Sequence, residues 1–249
     1  MNRTLDELIV YNPKNTKRRF GSTVPSGDGG YVVVDGYTYD YYVGCGVGGN
    51  ASFDIEFLKT QPNINGLVFD GSISHYPRFS NHVYFVHKNI GNTNTIHLTN
   101  LNNETKHFEN IFMKMDIEGH EWNWIKSFEN LNKVKQLVIE IHGVFLDDGW
   151  NWGEKCEYVY EDVCAGLQKI NQTHHLVHFH SNSSGGYTMV DGKELPTVAE
   201  LTFIRKVDCE INGYNKISLP IVGLDFRNGY NQHDLSFTEY PFVHSVGES

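Results

Sequence analysis

The chain has 249 residues, 39% of them hydrophobic, which is enough to bury the core of one α/β domain. Its formal net charge of -10 argues against a nucleic-acid partner, because residues 17–19 form its only basic run. No stretch approaches the roughly 20 apolar residues of a membrane span, and the first residues lack the apolar run of a signal peptide. We therefore expect a cytoplasmic protein, and the absence of CxxC spacing among its four cysteines favours free thiols.

The N-terminal part, residues 1–40, predicts a short helix over residues 5–10 followed by a β-hairpin. Residues 32–34 and 37–39 flank Asp35 and Gly36, which is a strong signal for a two-residue hairpin turn. This hairpin would lead directly into the first strand of the core.

Residues 41–206 predict a core in which apolar, β-rich runs alternate with amphipathic segments. The predicted strands cover residues 37–43, 66–70, 83–88, 108–115, 134–142, 175–180 and 200–206, and the predicted helices 51–59, 118–128 and 157–170. Such alternation is typical of a mostly parallel sheet with helices on both faces. Residues 207–249 predict a tail that wraps the surface, so that residues 1–249 form a single domain.

A glycine-rich stretch at residues 43–50 lies between the first core strand and the helix that follows it. Glycines let the backbone turn sharply and approach a ligand closely, and a helix start offers free N–H groups. Gly44, Gly46 and Gly49 match the spacing of the dinucleotide-binding pattern GxGxxG. Asp70, at the end of the second strand, is placed to accept hydrogen bonds from both ribose hydroxyls.

Two cofactors fit this arrangement, NAD and S-adenosylmethionine. A single sheet leaves no second domain for the substrate of a hydride transfer. Asp54 and Glu56, near the start of the helix, suit a cationic sulfonium better than a pyrophosphate. The residues favour S-adenosylmethionine, and the predicted contacts with it are Gly44, Cys45, Gly46, Val47, Gly48, Asp70, Gly71 and Asp116.

Four segments resemble the FkbM-like class I methyltransferases, and together they span roughly residues 19–206. They are residues 26–33, residues 42–54, residues 113–122 and the closing residues 200–205. The most specific match is the K-x-D-x-E-G-x-E pattern that runs from Lys114 to Glu121. His120 departs from it, because the family commonly has a small residue there.

The resemblance implies a Rossmann-like sheet of seven strands in the order 3-2-1-4-5-7-6, with the last strand antiparallel. It also implies methylation of an oxygen by S-adenosylmethionine, often on a sugar hydroxyl. The acceptor would then be a sugar or glycan.

Ligands of open α/β sheets bind at the carboxyl ends of the strands, which brings Asp116 beside the methyl donor. Transfer to a hydroxyl requires an aligned acceptor and removal of its proton. The candidate catalytic residues are Asp116, His142 and Lys114. Either Asp116 or His142 acts as the base, or Mg²⁺ or Mn²⁺ held by Asp116, Glu140 and His142 activates the acceptor.

Residues near two further strand ends are candidates for acceptor binding. His180 and Asn182 follow the sixth strand and favour a substrate-contacting loop. Trp150 and Trp152 lie in the loop after the fifth strand, where they would either stack on a sugar ring or pack the loop onto the domain.

Two other functions remain open. One is an NAD-dependent oxidoreductase or epimerase acting on sugars, although the Tyr-x-x-x-Lys pair of short-chain enzymes is not found on any helix near the site. The other is a binding module of the same fold without catalysis, against which the polar strand ends argue.

Overall fold

A computed structural model describes residues 6–23, 27–74, 80–146, 158–190, 192–229 and 233–245, with the backbone alone at 150–152 and 154–156. The strands of this part are β1 Tyr11–Pro13, β2 Lys17–Phe20, β3 Tyr31–Val34, β4 Tyr41–Cys45, β5 Asn65–Phe69, β6 Val83–Val86, β7 Asn89–Ile90, β8 Leu98–Thr99, β9 Ile111–Met115, β10 Val134–His142, β11 Trp150–Trp152, β12 Glu154–Cys156, β13 His174–Ser181, β14 Tyr187–Val190, β15 Lys193–Pro196, β16 Val198–Arg205 and β17 Ile211–Tyr214. The helices are α1 Ser52–Thr60, α2 Asn102–Thr105, α3 Glu121–Ser127 and α4 Tyr160–Thr173. None of these helices is long and apolar enough to cross a bilayer.

Seven strands form one central sheet in the order β6-β5-β4-β9-β10-β16-β13. The pairs β4–β5, β4–β9, β5–β6 and β9–β10 are parallel, whereas β16 is antiparallel to both of its neighbours. Numbered along the chain, this order is 3-2-1-4-5-7-6. The expected strand order and the expected antiparallel last strand are therefore both confirmed.

Helices cover both faces of the sheet, as predicted. On one face Tyr42 and Phe112 pack against Phe53 and Phe57 of α1, and β2 and β3 lie over the same face. On the other face apolar residues of β4, β9 and β10 join α3 and α4 in the larger core cluster. Interior strands buried on both faces consist mostly of apolar residues, which explains why the sheet was predictable from sequence.

The predicted hairpin around Asp35 and Gly36 is wrong. β3 pairs with β2, which precedes it, and residues 37–39 belong to no strand. The side chain of Gln136 on β10 satisfies the free edge of β3, since Val34 donates its N–H to Gln136 Oε1 at 2.7 Å and accepts from Gln136 Nε2 at 3.3 Å. With this edge paired to a side chain, residues 37–39 continue toward β4 instead of folding back.

Two other predictions change in detail. α3 begins at Glu121 and not at residue 118, because Glu118 and Gly119 have φ values of +54° and +98° and form a turn. The described part of the C-terminal tail does more than wrap the surface. It supplies β17, which pairs with β1, and it buries Phe237 and Phe242 in the larger core cluster.

Candidate functional site

A cavity of about 610 Å³ lies at the carboxyl edge of the sheet, where β4, β5 and β9 end. This volume is within the roughly 300–1,000 Å³ that is usual for small-molecule sites. Its wall includes Gly46, Asp70, Lys88, Asp116, Glu118 and His120. Three of the predicted cofactor residues, Gly46, Asp70 and Asp116, therefore lie around one space.

The glycine loop after β4 has a tightly packed end and an open end. Gly46 has a φ of +72°, and a Cβ added there would lie 1.5 Å from the carbonyl oxygen of Asp116. Only glycine therefore allows the end of β4 to approach the end of β9 this closely. Around Gly48 and Gly49, in contrast, an added Cβ would meet nothing within 4 Å. This open end of the loop leaves room for a ligand.

Asp70 holds the glycine loop in place. Its Oδ2 accepts hydrogen bonds from the backbone N–H groups of Val47 at 2.9 Å and Gly48 at 2.8 Å, and its Oδ1 accepts from the N–H and hydroxyl of Ser72. Burial raises the pKa of Asp70, but these hydrogen bonds outweigh it and hold the pKa below its usual range. Asp70 is thus an ionised loop anchor at neutral pH, and its contact with a ribose remains a prediction.

The other five predicted cofactor residues do not line the cavity. Val47 and Gly48 donate their N–H groups to Asp70, and the remaining three are Gly44, Cys45 and Gly71. Cys45 is completely buried in the larger core cluster. A Cβ on Gly44 would lie 2.8 Å from Asp54 Oδ1, and one on Gly71 would lie 2.2 Å from Asn89 Oδ1. The structure gives these small residues a packing role behind the site.

Asp116 follows β9 and is held by two side chains. Tyr31 donates its hydroxyl proton to Asp116 Oδ2 at 2.9 Å, and Lys114 Nζ lies 3.5 Å from the same oxygen. Burial raises the pKa of Asp116, and the opposing effects of Lys114 and His142 do not cancel this rise. Asp116 therefore accepts a proton more readily than an ordinary aspartate.

Lys114, which was predicted to be catalytic, lies behind the site. Its side chain is 4% exposed, and Nζ donates a hydrogen bond to the carbonyl oxygen of Gly46. Burial lowers the pKa of Lys114, but Asp116 and Asp54 outweigh this and raise it above the usual value. As a permanent cation, Lys114 ties the end of β9 to the glycine loop and orients Asp116.

His142, at the end of β10, is surrounded by carboxylates. Its Nδ1 lies 3.1 Å from Glu121 Oε1, and its Nε2 lies 3.3 Å from both Glu118 Oε2 and Glu140 Oε1. Burial lowers the pKa of His142, but Glu121 and the other acids outweigh it and raise this pKa well above the usual value. An imidazole that keeps its proton at neutral pH is a poor general base, which leaves Asp116 as the better candidate.

The three predicted metal ligands, Asp116, Glu140 and His142, lie together. Each offers one ligand atom, and these atoms lie within 4.8 Å of one another. Burial, followed by repulsion from Asp116, raises the pKa of Glu140 to about 8. The cluster therefore combines oxygen and nitrogen donors in surroundings that favour an added positive charge.

A second polar cluster continues along the sheet from Glu140 to Glu200 and His180, which are paired across neighbouring strands. His180 Nδ1 lies 3.0 Å from Glu200 Oε2, and Asn228 donates to Glu200 Oε1 at 2.7 Å. Burial lowers the pKa of His180, but Glu200 and then Asp234 outweigh it and raise this pKa to about 10. His180 is thus a buried cation that neutralises Glu200.

Two of the predicted acceptor-binding residues, His180 and Asn182, are buried away from the cavity. His180 is 1% exposed, and Asn182 is 3% exposed and donates to Glu140 Oε2 at 3.2 Å. Both side chains belong to the buried polar network and not to the lining of the cavity. The side chains of Trp150 and Trp152 lie outside the described residues.

Sequence reasoning did not single out Tyr31, Arg19 or Glu200 as site residues. Each occupies a strand of the sheet or of the pair β2–β3 that covers it, and each is buried beside the polar clusters. The available signal was an ionisable or hydroxyl-bearing residue within an apolar strand, since such groups are rarely buried without a partner.

Comparison with known families and proteins gives no information on what this site does. No family model matches the chain, and no curated protein matches it significantly. The function must therefore be argued from the geometry of the site.

Proposed function

We propose that this protein is an S-adenosylmethionine-dependent O-methyltransferase with the Rossmann-like fold of class I methyltransferases, resembling the FkbM-like family. The observation that carries the proposal is the cavity whose wall brings Gly46 of the glycine loop and Asp70 together with Asp116. A donor site and a proton-accepting group thereby share one space at the edge where ligands of open α/β sheets bind.

The charge of the cavity favours S-adenosylmethionine over NAD. Among the described residues, its wall carries the carboxylates of Asp70, Asp116 and Glu118, against the ammonium group of Lys88. An acidic wall attracts a sulfonium and an ammonium group, whereas it repels a pyrophosphate. The open side of Gly48 and Gly49 provides the close backbone approach that a nucleoside ligand needs.

S-adenosylmethionine supplies a sulfonium methyl group, whose C–S bond breaks with both electrons left on sulfur as the acceptor oxygen forms the new C–O bond. Asp116 lies on the cavity wall and accepts the proton of the acceptor hydroxyl. Tyr31 and Lys114 hold the carboxylate in position, so that little reorganisation is required during the reaction.

The acceptor class that fits best is a sugar or glycan hydroxyl. The exposed carboxylate of Glu118 lies with Asp116 on the cavity wall, and the exposed carboxylate of Asp28 lies beside Glu140; both can accept hydrogen bonds from hydroxyl groups. The buried network behind them, from Glu140 to His180, keeps this part of the edge rigid.

Calorimetric titration with S-adenosylhomocysteine and, separately, with NAD tests the cofactor. We expect saturable binding of S-adenosylhomocysteine and none of NAD. Asp70→Ala should abolish this binding because it releases the glycine loop, whereas Glu210→Ala, a surface variant whose only described charge partner is Lys14, should not change it. A folded protein that gives no heat with S-adenosylhomocysteine at about 1 mM would rule out the proposal.

The catalytic assignment has its own test. Methylation of a panel of monosaccharides and glycans is followed by mass spectrometry. Asp116→Asn should retain binding of S-adenosylhomocysteine and lose turnover, because the amide still accepts from Tyr31 but cannot take a proton. Unchanged turnover in this variant would show that Asp116 is not the base.

A further inference from the structure

We propose that Asp116, Glu118, Glu140 and His142, at the ends of β9 and β10, bind one divalent cation of the Mg²⁺ or Mn²⁺ type. We name these four residues the His142 centre. The existence of this site does not depend on the proposed methyl transfer, whereas its use in activating an acceptor hydroxyl does.

The ligand atoms of the His142 centre lie slightly farther apart than those of an occupied metal site. Ligand atoms of Asp116, Glu140 and His142 already lie within 4.8 Å of one another. Two ligands of one Mg²⁺ ion, each at roughly 2.1 Å from it, lie at most about 4.2 Å apart. Small movements of the side chains, together with release of the His142 proton when the ion binds, would therefore complete the coordination. Glu118 is the candidate fourth ligand, because its Oε2 lies 3.3 Å from His142 Nε2.

Glu121 contacts both His142 and the turn that follows Asp116. Its carboxylate is completely buried, and Oε1 lies 3.1 Å from His142 Nδ1 while it accepts the N–H groups of Ile117 and Gly119 at 3.2 Å. A carboxylate on the far nitrogen of a histidine is the usual support of a metal-binding imidazole. Among the described residues, the other oxygen, Oε2, is buried without a hydrogen-bond partner.

The backbone of His142 is fixed as well. Tyr158 donates its hydroxyl proton to the carbonyl oxygen of His142 at 2.7 Å, and Trp122 donates its indole N–H to the same oxygen at 3.0 Å. Side chains held from both the ring and the backbone lose little entropy when they bind an ion, which increases affinity.

Charge balance distinguishes this centre from the neighbouring acidic triad of Asp28, Glu140 and Glu200, which is equally compact. Glu200 already lies 3.0 Å from His180 Nδ1 and 3.9 Å from the guanidinium of Arg19. Around the His142 centre the described acids, Glu121 included, number four, and the described ion pair with a lysine is that of Lys114 with Asp116. Once Glu140 and His142 release their protons to an incoming cation, the described acids of this centre outnumber its described cation, Lys114, which favours a cation here over one at the triad.

The cation would lie beside Asp116 and therefore at the wall of the cavity. If the protein transfers methyl groups as proposed, a cation there would bind the acceptor oxygen and lower the pKa of its hydroxyl. Asp116, beside the cation, would then take this proton more readily.

Titration of the full chain with Mn²⁺, after treatment with a chelator, tests the site through the loss of the electron paramagnetic resonance signal of free Mn²⁺. We expect one bound Mn²⁺ per chain. Glu140→Gln should abolish this binding, whereas Glu200→Gln, its directly paired and equally buried neighbour, should retain it. Glu121→Gln should weaken binding by about 10- to 100-fold, because it removes the charge that supports the imidazole.

Circular dichroism verifies that each variant is folded. If Glu140→Gln does not fold, Glu118→Gln replaces it, because the Glu118 side chain is 57% exposed and tolerates substitution. Absence of saturable Mn²⁺ binding to the wild-type chain would overturn the proposal. So would equal loss in Glu140→Gln and Glu200→Gln, or no loss in Glu118→Gln.

Failure of the two proposals can be separated. Binding of S-adenosylhomocysteine without binding of Mn²⁺ removes the cation and leaves the methyltransferase. Binding of Mn²⁺ without binding of S-adenosylhomocysteine keeps the cation site and removes the proposed function.

Discussion

The carboxyl edge of the sheet has two sides that differ in what fills them. On the cavity side, where β4, β5 and β9 end, residues that include Gly46, Asp70 and Lys88 surround about 610 Å³ of open space. On the polar side, where β10 and β13 end and the antiparallel β16 begins, ionisable side chains fill the edge and are almost completely buried, namely Glu140, His142, Glu200 and His180. Asp116 lies at the boundary between the two sides.

The two sides serve different purposes in a binding site: one provides space for a ligand, and the other holds charged groups in fixed positions. Glycines leave room for a ligand on the cavity side, while Asp70 fixes the shape of the loop by accepting the N–H groups of Val47 and Gly48. Buried charges are stable only when they are paired and hydrogen-bonded, so the polar side is held in one arrangement by its own network. A ligand on the cavity side would therefore meet reactive groups that are already in place.

The largest expected effect concerns the glycines of the cavity side. Gly46→Ala forces a Cβ into the carbonyl oxygen of Asp116 at a left-handed φ, which should reduce the free energy of unfolding by about 3 kcal/mol or more. Gly49→Ala has open space and no positive φ, so its stability should remain within about 0.5 kcal/mol of wild type. Urea denaturation measures both values.

The same pair distinguishes packing from binding. If the open end of the loop receives the cofactor, Gly49→Ala should weaken binding of S-adenosylhomocysteine although the protein remains stable. A Gly46→Ala variant as stable as wild type would contradict the close approach of β4 and β9.

An intermediate effect concerns the charges of the polar side and their pH dependence. The pKa of His180 is about 10 in the folded protein, where Glu200 and Asp234 face it, against about 6.5 in the unfolded chain. The folded state therefore binds more protons between these values, and the contribution of His180 to stability declines as pH rises through this window.

Replacement of the histidine isolates this contribution. Compared with wild type, His180→Gln should lose on the order of 3 kcal/mol of stability near pH 6.5, and the difference should shrink as pH approaches 10. Urea denaturation at a series of pH values measures it. A constant difference across this range would mean that His180 is neutral in the folded protein.

The smallest effect concerns the boundary between the two sides. Tyr31→Phe removes the hydrogen bond to Asp116 and should cost about 1 kcal/mol of stability, with turnover reduced about 10-fold because the carboxylate is less well oriented. Tyr39→Phe removes a comparable hydrogen bond to Gln136, on the same face but away from the cavity. It should cost similar stability and leave turnover unchanged, and equal loss of turnover in both variants would contradict a positioning role for Tyr31.

The strands of the sheet were predictable because their signal is local. β10 is buried along almost its whole length and consists largely of apolar residues, so its sequence alone indicates an interior strand. The hairpin at Asp35 and Gly36 was predicted wrongly for the opposite reason. Its outcome depends on Gln136, which lies 102 residues away from Val34 and pairs with the backbone that a hairpin strand would otherwise use.

The candidate site was predictable to the extent that strand ends converge. Asp116, Glu140 and His142 were expected together because adjacent strands end at one edge, and their ligand atoms do lie within 4.8 Å. The role of Lys114 could not be predicted from the sequence, since its contact with Gly46, which shows that it faces the loop and not the cavity, is a tertiary contact.

From the residues alone, the alternation of strands and helices, the glycine turn and the acids at the strand ends followed, because each depends on neighbours along the chain. The tertiary structure decided which groups meet across long separations. Tyr31 binds Asp116 across 85 positions of the chain. Glu121 pairs with His142, and His180 and Asn228 both bind Glu200. These contacts then determine protonation, because the pKa of a buried carboxylate or imidazole depends on the charges and hydrogen bonds that the fold places around it.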